Sequence, residues 1–147
     1  MITNFETLPP LDKLKQDAIA LVRPAPKSVF EIHDPLALRY LFQLRLGLSP
    51  LRSHKKRYNF ADTPSDECLC REGPEDTRHF FLFCPFYEIH RTALINDVNQ
   101  VLSDCSINFD GDLLTLFLYG HHSVNNSKNK KILTATINYI RSTNRFS

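Results

Sequence analysis

Three cysteines and one histidine fall within a single short stretch, CLCREGPEDTRHFFLFC, which supplies Cys68, Cys70, His79 and Cys84. Thiolate sulfur and imidazole nitrogen are the donors that Zn²⁺ prefers, and four of them bind it tetrahedrally in a structural site. The spacing is C-x-C, then eight residues, then H-x4-C, whereas zinc knuckles more often begin C-x2-C. The competing reading is a set of buried thiols beside a core histidine, since free cysteine is among the most buried residue types. Clustering of three of the four cysteines around one histidine favours the metal. A complete Cys3His set leaves no open coordination position, so the expected cofactor, Zn²⁺, is structural. Cys105 is left over as a buried or free thiol.

Other chemistry can be tested against the motifs it needs. The chain has no G-x-S-x-G, G-x-x-x-x-G-K-[ST], G-x-G-x-x-G or H-E-x-x-H. Its 4 glycines include no pair two apart, so a phosphate-cradling loop has nothing to be built from. Asp110 and Asp112 flank Gly111 and read as a turn and cap rather than a Mg²⁺ site. His54, His121 and His122 read as packing or loop residues. No catalytic residue and no small-molecule substrate are expected.

Charge is grouped by segment. From Pro35 to Ala61 there is no acid, while Arg39, Arg45, Arg52, Lys55, Lys56 and Arg57 supply six positive charges. From Asp62 to Asp76 six acids stand against Arg71 alone, and after Asp112 the chain is again free of acids. An acidic metal loop is a poor phosphate binder, so any contact with nucleic acid falls to the basic helices, with the metal holding them in place.

The elements that must position these residues read as helices. The chain's 147 residues are 42% hydrophobic and 23% charged, an ordinary globular composition. No apolar run approaches the roughly 20 residues needed to span a bilayer. The start lacks a secretory pattern, and the cysteine usage suits a reducing compartment, so the nucleus or cytoplasm is expected. Leu11, Leu14, Ala18, Ile19 and Val22 predict an amphipathic helix over 11–22, and Arg23-Pro24-Ala25-Pro26 stops it in an extended linker. Val29, Phe30 and Ile32 then dock as an apolar plug.

Asp34-Pro35 is a helix start that Gly47 ends, with Leu38, Leu41, Phe42 and Leu44 toward a core. Ser49-Pro50 begins a second short helix anchored by Leu51 and Tyr58. Pro85 opens a helix over 85–102 with an apolar stripe of Phe86, Ile89, Ala93, Leu94, Val98, Val101 and Leu102. LLTLFLYG is a short apolar segment, and Ser127 caps a last helix lined by Ile132, Leu133, Thr136, Ile137 and Ile140. Phe80, Phe81, Leu82 and Phe83 imply packing on both sides of the His79 turn. The expected fold is mainly α, a small helical domain organised around the CCHC knuckle. It divides into an N-terminal helix and linker (1–33), a basic helical segment (34–60), the knuckle (61–84) and C-terminal helices (85–147).

The same residues carry a resemblance. Val22 to Phe30 resembles the "IRPxPxSIF" of reverse transcriptases from LINE-type, jockey-like non-LTR retrotransposons, and Leu44 to Ser49 with Leu51, His54 and Lys55 resembles their "LRLGLSxLxxHK". Asn59-Phe60 with Asp62 is similar to "NFxD", and Cys68, Cys70, His79, Phe80, Leu82 and Cys84 are similar to "CxCGxxxExxxHFxLxC". Leu118-Tyr119-Gly120, Ile132-Leu133, Thr136-Ile137, Tyr139-Ile140 and Arg145-Phe146 complete a resemblance over nearly the whole chain. Arg71 departs from the pattern, which has glycine after the second cysteine. The aromatic-x-Asp-Asp motif of the family's polymerase and its endonuclease domain are absent from this sequence.

The resemblance therefore implies the thumb-adjacent linker and zinc knuckle from the C-terminal region of such an enzyme, not itself expected to polymerise DNA. It implies contact with RNA or DNA, for which Arg39, Arg45, Arg52, Lys55, Lys56 and Arg57 are the candidate phosphate ligands. The alternative is a protein-interaction module in which Phe80 to Phe86 and LLTLFLYG dock on the parent polymerase or another partner. A relic reading frame without selected function is the third reading.

Overall fold

A computed structural model describes residue 29 and residues 31–146. The expected helix over 11–22, its proline linker and Phe30 lie outside the described residues. Among the described residues the chain is mainly helical and has no strand, only an isolated antiparallel bridge between Glu67 and Pro74. The helices are α1 (Pro35–Leu46), α2 (Arg52–Arg57), α3 (Glu88–Asp104), α4 (Leu113–Tyr119) and α5 (Asn126–Thr143). A π turn (His79–Phe83) and a 3-10 turn (Pro85–Tyr87) join α2 to α3.

Local chemistry explains the ends of α1. The Asp34 carboxylate accepts the Ala37 N–H at 3.2 Å, Pro35 opens the helix, and Gly47 closes it at φ 71° with its N–H donated to the Gln43 carbonyl. The second start differs from expectation. Ser49 Oγ accepts the Leu51 N–H, but α2 begins after Leu51 with no local side-chain cap. The cap comes from Glu75 instead, which accepts the Arg52 N–H at 2.8 Å. On α5 the cap is Asn125, accepting the Lys128 N–H, rather than Ser127, which lies inside the helix. Pro85 opens a 3-10 turn, and the α-helix starts three residues later at Glu88.

α5 is the central element, with α3, α4 and α1 all packed on it. Ile132, Leu133, Ala135, Thr136, Ile137, Tyr139 and Ile140 are buried along it, and Thr136 donates to the Phe117 carbonyl of α4 at 2.7 Å. Phe80 and Phe81 from the π turn enter the middle of this core. Phe80 meets Tyr139, Tyr87 and Phe146 edge-on at 5.2, 5.3 and 5.4 Å, and Phe81 stacks on Tyr139 at 5.2 Å. Each such burial contributes roughly 1.5–3 kcal/mol, with somewhat more from ring geometry. The core thus combines residues from 34–60, 61–84 and 85–147.

Several apolar residues expected inside are not. On α3 the buried set is Leu94, Val98, Val101 and Leu102, while Ile89 and Ala93, and Phe86 in the 3-10 turn before the helix, face out. Ile89 is 84% exposed, because nine residues at about 100° each put it on the opposite side of the helix from the buried Val98. Phe83 and Tyr58 are also exposed, so packing on the π turn is one-sided beyond Phe80 and Phe81. Val29 packs on Leu133, with Ile32 and Leu38 beside them, as an apolar plug requires.

Candidate metal centre

The first half of the site is a tight turn on a short hairpin. Cys68 N–H donates to Gly73 O and Glu75 N–H to Asp66 O, both at 2.8 Å, and Arg71 N–H closes a turn onto Cys68 O at 2.9 Å. Cys68 and Cys70 therefore occupy the first and third positions of that turn. Arg71 takes φ 66°, a left-handed conformation that costs a non-glycine residue about 1 kcal/mol. Gly73 follows at φ 136°, which only glycine adopts readily.

The second half is the π turn. Asp76 Oδ1 accepts the His79 N–H at 2.8 Å, fixing the start, and Cys84 N–H returns to His79 O at 2.8 Å. This i to i+5 closure is wider than an α turn and sets Cys84 just after one full circuit from His79. Cys70 Sγ lies 3.2 Å from His79 Nε2, and Cys68 Sγ lies 3.8 Å from Cys84 Sγ. The four donor atoms all fall within 4.8 Å of one another and could hold a metal ion. Cys68, His79 and Cys84 are buried and Cys70 is half-buried; Cys105 is outside the group.

Burial pushes the Cys68 thiol up and the Cys84 thiol up to about 12, against opposing backbone hydrogen bonds from Cys70 and Phe86. Without compensating charge these groups stay protonated, and a cation at their centre displaces the protons. Arg91 secures the carbonyl side, donating to Phe81 O at 3.0 Å and to Cys84 O.

A second cluster links the metal loop to α2. The Glu75 carboxylate is buried and receives Arg145 through both its oxygens at 2.6 Å, while Arg145 also donates to Pro50 O at 3.1 Å. With Arg52 N–H on the same carboxylate and Ser53 N–H on the Glu75 carbonyl, this one residue fixes the start of α2. Glu75, Arg91 and Arg145 are the site's supports that sequence reasoning missed. Their partners are 70 residues apart or lie across a turn, so neither spacing nor charge grouping marks them.

His54 is buried, as a packing residue would be. Ser49 N–H donates to its Nδ1 at 3.2 Å, which leaves the proton of the neutral ring on Nε2, 3.3 Å from Thr77 Oγ1. Thr77 in turn donates to Leu44 O, so the ring bridges α1, α2 and the metal loop. Burial, and then Arg57, hold its pKa below the ordinary histidine value, with Asp76 and Glu75 opposing. The unfolded chain therefore takes up a proton here before the folded one does, and stability falls as pH drops below about 6.5. We expect His54→Gln to be less stable than the native chain at pH 7.5 and the gap to narrow at pH 5.5. Melting temperatures at the two values check this; a gap independent of pH would contradict it.

The six candidate phosphate ligands divide. Arg45 is half-buried, donates to Leu118 O at 2.8 Å and sits 4.5 Å over the Tyr119 ring, and burial lowers its pKa to about 10. Arg52 Nε donates to Glu67 O at 2.7 Å, and Lys55 pairs with Asp62 at 2.8 Å. Arg39, Lys56 and Arg57 are exposed. Of the expected docking residues, Phe80, Phe81, Leu116, Phe117 and Leu118 are core, and Phe83, Phe86 and Leu113 are exposed. No helix among the described residues is long and apolar enough to cross a membrane. No protein-family model, curated protein or solved structure matches this chain.

Proposed function

We propose that the chain is a zinc-stabilised helical module whose α2 face binds the phosphate backbone of RNA or DNA, with no reaction of its own. Three sulfurs and one nitrogen are a donor set that selects zinc over harder cations. Tetrahedral bonds of about 2.3 Å separate two sulfurs by about 3.8 Å, which matches the spacing of Cys68 and Cys84. One observation carries the nucleic-acid reading. The acid-free helix RSHKKR presents Lys56 and Arg57 to solvent, and its start is bolted to the metal loop by Glu75. The resemblance to a retrotransposon reverse transcriptase tail supports it, and Arg39 adds a third exposed cation.

Salt dependence is the test. With Arg39, Lys56 and Arg57 each neutralising a phosphate, log affinity should fall against log salt with a slope of about 2–3. The double variant Lys56→Ala/Arg57→Ala should weaken binding to RNA and DNA of any sequence and reduce that slope by about 1.5–2. Titrations at two salt concentrations read both quantities. An unchanged slope in the variant would remove α2 from the interface.

A second reading has its own observation. Leu69, Phe83, Phe86 and Ile89 leave an apolar surface beside the metal loops, of the kind that marks protein contacts. Absence of RNA and DNA binding at low salt, with a salt-insensitive protein complex, would favour it.

A further inference from the structure

A cleft of about 420 Å³ opens between the metal loop, the start of α2 and the 3-10 turn. Its volume lies in the range of about 300–1,000 Å³ that takes small ligands. Part of its lining is apolar and comes from the loops that carry the four metal-site donors. Leu69, between Cys68 and Cys70, is 74% exposed, and Phe86, two residues after Cys84, is 59% exposed. The Phe86 and Tyr87 rings meet edge-on at 6.4 Å with 84° between their planes, so they form a corner.

The rest of the lining is charged. Three cations and two acids contribute to it, and two of the cations are matched, Arg145 by Glu75 and Lys55 by Asp62. Arg52 is left over. Its Nε donates to the Glu67 carbonyl, and its two terminal nitrogens have no partner among the described residues. The Tyr87 hydroxyl is uncommitted in the same way. The cleft therefore carries one net positive charge on a guanidinium fork, the complement of one phosphodiester, beside an open ring.

Two features choose the occupant. A flat aromatic face next to a guanidinium suits a nucleotide, since every base has a face to stack and every phosphate can accept the fork. Continuity points the same way. Lys56 follows Arg52 by one turn, about 6 Å along α2, so a strand with a phosphate on Arg52 runs on to a cation already assigned to the backbone. In a duplex the bases are paired and stacked, and none can enter the cleft.

We infer that the cleft holds one unpaired nucleotide of a single-stranded nucleic acid, with its base on the Phe86 ring and its phosphate on Arg52. The inference rests on the nucleic-acid role proposed for α2 and adds to it a preference for single strands. The hairpin and the π turn place Leu69 and Phe86, so the metal loops supply the base platform while α2 supplies the phosphate ligands.

Anisotropy titrations of the full chain with a short labelled single strand and with the duplex of the same sequence test this. The single strand should bind about tenfold more tightly or better. Phe86→Ala should weaken single-strand binding by about 5- to 150-fold, the worth of one stacked base, and leave duplex binding unchanged. Phe86→Tyr should keep the native affinity, whereas Phe86→Leu, apolar but without a ring, should behave as Phe86→Ala. Arg52→Gln should lower the single-strand salt slope by about 0.7. Phe86 is exposed, so its variants should melt with the native chain. Equal affinity for the two forms, indifference to Phe86→Ala, or full affinity in Phe86→Leu overturns the inference, and an unchanged slope in Arg52→Gln removes its phosphate contact. If Lys56→Ala/Arg57→Ala still lowers the duplex slope in that event, the α2 reading survives alone. Absence of binding to either form at low salt removes both. A salt-insensitive protein complex lost in Phe86→Ala, with nucleic-acid affinity intact, would give the apolar wall to a protein instead.

Discussion

A chelator is expected to abolish the cooperative melting of the whole domain, beyond the loop that would hold the proposed zinc ion. Structural zinc contributes on the order of 10–16 kcal/mol in small peptides, against roughly 5–15 kcal/mol for the total stability of a domain. The reason for spread lies in the π turn. His79 and Cys84 bracket Phe80 and Phe81, which are fully buried and touch Tyr139, Tyr87, Phe117 and Phe146. Releasing the two ligands frees the ends of the segment that fills the core. Cys84→Ser and His79→Ala should act alike, giving loss of the thermal transition by circular dichroism and of one zinc per chain by native mass spectrometry. In the zinc-loaded chain, Cys105 should react with a thiol reagent well before Cys68, Cys70 and Cys84, because it is half-buried and unligated. Melting that is indifferent to chelator, or four equally reactive thiols, would sink the structural role of the ion.

What could be read from sequence was the chemistry that acts over a few residues. Asp34-Pro35 and Gly47 each satisfy a nearby backbone group, and each is where local reasoning puts it. The four donors converge as expected, because a short hairpin and one turn are all that separates them. The π character of that turn was hidden, since H-x4-C spacing fits an α turn as well. Faces were harder still. A broad apolar stripe over 86–102 hides a division: at about 100° per residue Ile89 and Ala93 lie on a different side of α3 from Val98 and Leu102, and only the placement of α5 decides which side is covered.

Charge grouping leaves the partners of each cation open in a related way. Arg45 counts as a phosphate ligand by composition, yet its guanidinium closes on Leu118 O and Tyr119 from another helix. A basic segment therefore mixes cations that hold the body together with cations that face solvent. Arg45, Arg52 and Lys55 belong to the first group, and Arg39, Lys56 and Arg57 to the second.

Arg145→Met is expected to be the most damaging single change outside the metal ligands. Arg145 meets the buried Glu75 carboxylate through two hydrogen bonds of 2.6 Å, and its removal leaves that charge with the Arg52 N–H alone. Breaking one side of a buried pair typically costs about 3–5 kcal/mol, because the remaining charge stays desolvated. At roughly 2–4 °C per kcal/mol for a domain of this size, the melting temperature should fall by about 6–20 °C. The double variant Glu75→Leu/Arg145→Met removes both charges, so it should be more stable than Arg145→Met while still lacking the cap on α2. That ordering separates a buried pair from a surface one, for which each single change would stay within about 1 kcal/mol. The double variant also isolates the link to function. Its α2 keeps Lys56 and Arg57 but loses the carboxylate that caps its start, so on the proposed nucleic-acid role affinity for RNA and DNA should drop while the chain stays folded. Full affinity in a folded double variant would show that the metal loop does not set the pose of α2.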